Sequence, residues 1–272
     1  MSQTVQLSPE ILQLQQDIAA LVETVGQVIA ERDEMLNTVK PNLEAEYQKN
    51  IGYKLLERLE AEIAARRYKR HIELIRAVIN RQESIEDAVI ETQLDDEFQE
   101  WHKKLHAQYQ KVKDAEARLN NLVSVAHSDA YKKLYRQLVF KLHPDLHPHQ
   151  TEDEANLWHR VQQTYKSGDL EALRSLMIVL DAQNTPVELP SSKALLEERK
   201  TELTTQIQKI INNMSELKKH FPFDIAAELA DNDWVNAKVA EIQEQIDQWQ
   251  EKCTRYEAFI AVLLATKDTQ VH

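Results

Sequence analysis

The chain has 272 residues with only three glycines and seven prolines, far under the usual ~7% and ~5%, and this scarcity of turn formers excludes a sheet-rich fold with many tight turns. Its formal net charge of -12 argues against nucleic acid as a partner, because such binding rests on cations that neutralise phosphates. One cysteine, Cys253, excludes an intrachain disulfide and a cysteine-based metal site, and it fits a reducing compartment.

The start Met1-Ser2-Gln3-Thr4 carries no basic region ahead of an apolar core, and no stretch approaches the ~18 apolar residues of a membrane span. A cytoplasmic protein without membrane insertion is therefore expected. Leu, Ala, Glu, Gln, Lys and Arg dominate, and apolar residues recur at three- and four-residue spacing along most of the chain. Those residues lose little entropy in a helix, so the expected class is all-α.

In chain order, Ser8-Pro9-Glu10 opens a first helix with a capping serine, proline at the first helical position and an acid in the first turn. Leu12, Ile18, Leu21, Val22, Val25, Val28, Ile29 and Leu36 share one flank of it, and Pro41 is expected to end it. Gly26 costs about 1 kcal/mol against alanine mid-helix and marks a close helix contact. A second helix is predicted from Pro41 to about Gln82, and Ser84-Ile85-Glu86-Asp87 resembles a capping box opening a third that runs to about Ala126. Residues 1–116 thus read as an N-terminal helical bundle or hairpin. The charge run Arg66-Arg67-Tyr68-Lys69-Arg70-His71 within it reads as a solvated face paired with nearby glutamates. Cys253 reads as a half-buried helix residue.

His127-Ser128-Asp129 interrupts the pattern, with Ser128 or Asp129 as cap for the next helix. There Tyr131, Leu134, Tyr135, Leu138 and Leu142 form a continuous stripe. Lys132, Lys133, Arg136 and Lys141 lie mostly outside it, and no acid occurs between Ala130 and Pro144. A locally basic helix in an acidic chain points to a partner with an acidic surface. Pro144 removes a backbone donor and biases His143 away from helical backbone, so the imidazole of His143 and the carboxylate of Asp145 are expected on an exposed turn. Average residue usage would produce His-Pro-Asp in about one chain in a hundred of this length.

Tyr135-Arg136-Gln137-Leu138-Val139-Phe140-Lys141-Leu142-His143-Pro144-Asp145 resembles the second helix and His-Pro-Asp motif of the J-domain, the module of DnaJ-type co-chaperones. Trp158, Val161 and Tyr165 are similar to the aromatic, aliphatic and tyrosine positions of that family's third helix, and Gly168-Asp169-Leu170-Glu171-Ala172-Leu173 to its closing helix. The resemblance covers about residues 117–180, within a J-domain-like module drawn at 117–183. The usual Tyr-x-x-Leu-Gly-Val of the first helix is missing, and Leu119, Leu122, Val123 and Val125 would take its place. Gln137 stands where a second adjacent basic residue is common, and Leu142 where an aromatic is.

The resemblance implies a core of Tyr135, Leu138, Leu142, Trp158, Val161 and Tyr165. It also implies that His143, Pro144 and Asp145 engage a DnaK-type heat-shock chaperone and stimulate its ATPase, with Lys132, Lys133, Arg136 and Lys141 docking on its acidic surface. The chain would then act allosterically on its partner, with no catalytic residue and no cofactor of its own. His143, His147, His149 and His159 could suggest a metal cluster. Pro144 and Pro148 prevent the helix that would align them, and no third fixed ligand is evident, so no metal is expected. No phosphate loop or nucleophile elbow occurs, so an enzyme is not expected either.

Beyond this module, residues 184–191, with Pro186 and Pro190, read as a linker. Residues 192–272 read as a C-terminal, coiled-coil-like hairpin of helices Ser192 to His220 and Asp224 to Ala265, its spacing too mixed for a strict heptad seam. The helical extensions would hold a protein client or tether the chaperone, and homo-oligomers remain open. The rival reading is a helical scaffold or oligomerisation protein whose J-like module has lost its stimulatory role.

Overall fold

The computed structural model describes residues 8–121, 129–148, 150–181 and 192–268, and among these the fold is all-α without a strand. Helix α1 (Pro9–Glu34) begins as its sequence dictates, with the Ser8 hydroxyl accepting from the Ile11 N–H. Pro41 does not end the run. Helical backbone passes through a π segment, Met35–Val39, into α2 (Lys40–Tyr47), then through a second π segment, Gln48–Gly52, into α3 (Tyr53–Asn80). The expected break is avoided because the Lys40 N–H bonds back to the Met35 carbonyl, one residue beyond α spacing. That widening relieves the clash a proline imposes on the preceding turn.

Helix α3 closes in a Schellman motif, with Gln82 N–H on Ile79 O and Glu83 N–H on Val78 O. Gln82 adopts the left-handed conformation, φ 60°, that this cap requires. Helix α4 (Asp87–Asn121) starts two residues later than a Ser84 cap would place it, since the Ile90 N–H bonds to Glu86 O. There follow α5 (Asp129–Leu142), α6 (Glu152–Ser167), α7 (Leu170–Asp181), α8 (Lys193–Leu217), a short 3-10 turn Phe223–Ile225, α9 (Ala226–Leu229) and α10 (Asn232–Asp268). The proposed caps Ser128 and Asp129, the stand-in residues Leu122, Val123 and Val125, and the linker 184–191 lie outside what is described of the side chains.

The chain divides into two compact units that do not follow sequence order: residues 1–43 with 121–224, and residues 44–120 with 225–272. These units cut across the expected segments 1–116, 117–183, the linker 184–191 and 192–272. Both the N-terminal region and the C-terminal region are shared between the units.

In the first unit α1 packs on α8 and on α5, and residues of α1 and of α5–α8 share one buried core. Lys193 Nζ donates to Glu10 and Lys200 Nζ to Asp17, each pair 183 residues apart, so the two helices run parallel and in step. Leu196, Leu203 and Ile210 are buried at seven-residue intervals on α8, as are Ile18 and Val25 on α1. This is a short heptad-like seam, formed with α1 rather than within a C-terminal hairpin. Gly26 faces α5: an added Cβ would lie 3.5 Å from Phe140 and 3.8 Å from Leu146, which is the close contact its position in the sequence suggested.

In the second unit α10 packs on α3, with Lys54 on Gln243, Arg58 on Gln245 and the Cys253 thiol on Ala61 O. These pairs rise together in number, so this packing is parallel too. Helix α4 lies antiparallel to the run before it, Gln108 bonding Gln48 and Gly52 while Arg67 meets Glu91 and Asp95. Its core joins Ile63, Ile75, Leu94, Phe98 and Ile260. The basic run is a paired face as its sequence suggested: Arg66 meets Glu62, Arg70 meets Glu73 and Glu97, and His71 approaches Glu91.

Candidate functional site at the end of helix α5

Helices α5 and α6 form an antiparallel pair held by a column of aromatic rings. Tyr131 stacks on Tyr165 with centroids 5.1 Å apart, Tyr165 on Tyr135 at 3.7 Å, and Tyr135 on Trp158 at 6.2 Å. His143 meets Trp158 edge-on at 4.9 Å. Stacked and edge-to-face pairs of this kind add to the burial of their area. Leu138, Leu142 and Val161 are buried beside them, so all six residues expected as core are in it.

Both ends of α6 are capped. Thr151 and Glu154 complete a reciprocal capping box, and Gly168, at φ 74°, closes the helix in the left-handed region. Asp169 then caps α7 through the Ala172 N–H. The Tyr131 hydroxyl donates to Tyr165 O at 2.6 Å and so ties the start of α5 to the end of α6.

The sequence places His143 and Asp145 together on an exposed turn, and the structure exposes only one of the two side chains. Pro144 and Asp145 are exposed, whereas His143 is only 6% exposed. The reason lies in the backbone: the His143 N–H still bonds to Val139 O at 2.9 Å, so proline bars the helix after His143 rather than at it. The imidazole therefore stays on the apolar side, against Trp158.

His143 Nδ1 accepts the Asp145 N–H at 3.0 Å and lies 3.7 Å from Asp145 Oδ2. Burial lowers the pKa of His143, while Asp145 and Asp33 oppose that shift and Arg32 and His147 reinforce it. The neutral ring with Nδ1 as acceptor is the form this geometry favours. His147 Nε2 lies 2.9 Å from Phe140 O, and Gln150 donates to Leu142 O, so two side chains after the turn satisfy the carbonyls at the end of α5.

The basic residues divide. Lys133 and Arg136 are exposed, and Lys141 is half-buried. With Phe140 they line an open groove of about 620 Å³ whose other wall includes Glu23 and Gly26 of α1. Lys132 is instead bound within the chain, its ammonium 2.5 Å from Glu34 at the end of α1.

Beside it Asp33, 5% exposed, accepts from the Tyr135 hydroxyl at 2.6 Å and from the Arg32 guanidinium at 2.8 Å. Burial, with Asp33 alongside, pushes the Tyr135 phenol far above its ordinary value, and burial raises Tyr165 to about 12. On the other side of the turn, the Gln206 amide of α8 donates to Asp145 O at 3.3 Å. Arg32, Asp33, Glu34 and Gln206 escape a reading of the His-Pro-Asp segment alone. One signal existed for Asp33: it sits four residues after Ile29 on the buried flank of α1, where a charge needs a partner.

Among the described residues no group of three or more His, Cys, Asp or Glu side chains is arranged to hold a metal ion, and His149 lies outside them. No helix among them is long and apolar enough to cross a membrane. Comparison with protein-family models, with curated proteins and with solved structures finds no match for this chain.

Proposed function

We propose that the chain is a J-domain-type co-chaperone that recruits a DnaK-type heat-shock chaperone and stimulates its ATP hydrolysis. The observation that carries this reading is the pairing of α5 with α6 by the Tyr131-Tyr165-Tyr135-Trp158 column, which ends in the His143-Pro144-Asp145 turn, with Lys133 and Arg136 exposed earlier on the same helix α5. The turn would engage the chaperone through Asp145 and Pro144, and the cations would steer and hold its acidic surface. Hydrolysis would be carried out wholly by the partner, with this chain favouring the competent state. The helical remainder would bind a client or tether the complex. In a single-turnover assay with the DnaK-type chaperone of the same cell, the wild-type chain accelerates hydrolysis and His143→Gln abolishes the acceleration. A wild type without effect at saturating concentration overturns the reading.

A second reading has its own support. The burial of His143 and the internal pairing of Lys132 with Glu34 favour a helical scaffold whose J-like segment is structural. On that reading His143→Gln leaves every partner interaction intact and lowers only the stability of the first unit.

A further inference from the structure

We propose that the α1/α8 pair is an autoinhibitory clamp on the His-Pro-Asp turn, with Asp33 as its latch. The proposal rests on the co-chaperone reading and adds a regulated step to it. Three contacts from the clamp end on residues that reading assigns to chaperone docking or to the helix that carries them. Asp33 of α1 accepts the Tyr135 hydroxyl at 2.6 Å, Glu34 neutralises Lys132 at 2.5 Å, and Gln206 of α8 holds the backbone carbonyl of Asp145 at 3.3 Å. The clamp thus takes one docking cation and fixes the turn on which the motif depends.

Its two helices are sequence-distant but packed on each other, with Leu196, Leu203 and Ile210 of α8 and Ile18 and Val25 of α1 buried in the same core. The Lys193–Glu10 and Lys200–Asp17 pairs bridge the same two helices. Lifting the pair away would keep its bridging ion pairs while freeing Lys132 and exposing Val139 and Leu146, which share one buried core with it in the closed form. Without a partner, that apolar exposure keeps the clamp shut.

Asp33 explains why closure is specific rather than merely adhesive. An acidic side chain buried at this position is tolerated only where Arg32 and the Tyr135 hydroxyl meet it, so the latch selects one register of α1 on α5. A chaperone that binds the open form must supply the opening free energy, so its apparent affinity falls in proportion to the open fraction.

The test combines two variants and two readouts. Asp33→Asn keeps the side-chain volume and removes the charge; Gln206→Ala trims a half-buried side chain at the edge of the α8 seam. Amide exchange of Asp145, Leu146 and His147 needs no partner, and it rises about tenfold in either variant on this proposal. The concentration of chain giving half-maximal stimulation of the DnaK-type ATPase falls about tenfold in parallel. Stimulation by the variants at about a tenth of the concentration the wild type needs, with faster exchange in the same variants, is the strongest supporting result. Unchanged exchange, or unchanged half-maximal concentration in a chain that stimulates as well as its variants, overturns the clamp and leaves the co-chaperone reading standing. No stimulation by wild type or variants overturns that reading and the clamp with it.

Discussion

The two units solve the same problem, burying amphipathic helices with few turns, in different ways. The second unit keeps its core aliphatic and aromatic around Ile63, Ile75, Leu94, Phe98 and Ile260, and places its charges in ion pairs that face solvent, such as Arg70 with Glu97. The first unit buries polar groups outright: Asp33, Thr38 and His143 all lie in it. Each is met by the α5–α6 aromatic column, through Tyr135 for Asp33, Tyr165 for Thr38 and Trp158 for His143. An apolar seam tolerates many sliding arrangements at similar cost, whereas a buried carboxylate accepts only the one that supplies its donors. The contrast teaches that, among the described residues, the first unit gathers its buried polar side chains around the turn, where they select a single arrangement.

The largest effect that separates the units comes from their cores. Trp158→Ala removes the ring between Tyr135 and His143 and is expected to lower stability by about 3–5 kcal/mol, with loss of near-ultraviolet dichroism and fast amide exchange throughout α5 and α6. Leu94→Ala in the second unit costs a similar or slightly smaller amount, about 2–5 kcal/mol, but leaves exchange in α5 and α6 unchanged. Equal exchange in α5 and α6 for both variants would merge the units into one cooperative block.

A smaller and sharper contrast compares two acids. Asp33→Ala strands the Tyr135 hydroxyl and the Arg32 guanidinium, and denaturant titration should report a loss of about 1–3 kcal/mol. Glu97→Gln breaks a solvent-facing pair and should cost under about 1 kcal/mol despite the pKa of Glu97 lying near 2. A Glu97 variant as damaging as the Asp33 variant would erase the distinction between buried specification and surface pairing.

The smallest effect is one of pH. His143 has its pKa lowered in the folded chain from 6.5, chiefly by burial, so below 6.5 the unfolded chain binds the proton more readily than the folded one. Its contribution to stability is therefore complete above pH 6.5 and is lost as pH falls from there through the folded value. Exchange at Asp145 to His147 should accelerate between pH 7 and pH 5 after correction for intrinsic rates, and His143→Gln should flatten that slope. The Arg70–Glu97 pair follows the depressed-carboxylate rule, its contribution present above about 4.5 and lost as pH falls toward about 2. The two units thus respond in separate windows, and a shared window would contradict the assignment.

Much of this was legible in the residues. Ser8-Pro9, Thr151 with Glu154, and Gly168 announce helix ends through groups that satisfy or release backbone donors. The stripe Tyr131, Tyr135, Leu138 and Leu142 announces the face that meets α6. Where expectation failed, a neighbour outside the local window decided. Pro41 stays inside helical backbone because a π segment absorbs it, and His143 turns inward because its N–H keeps the last helical bond while Trp158 offers an aromatic edge.

The sequence by itself determined the helical class, most helix ends, the basic character of α5 and the core that joins it to α6, because capping, periodicity and local charge act within a few residues. Only the tertiary structure decided which helices share a seam. The stripes on α1, α8 and α10 each demand burial but carry no address, and the pairing of α1 with α8 and of α3 with α10 follows from long-range fit. The same choice brings Asp33 and Gln206 to the His143-Pro144-Asp145 turn, which no spacing within that segment could have told.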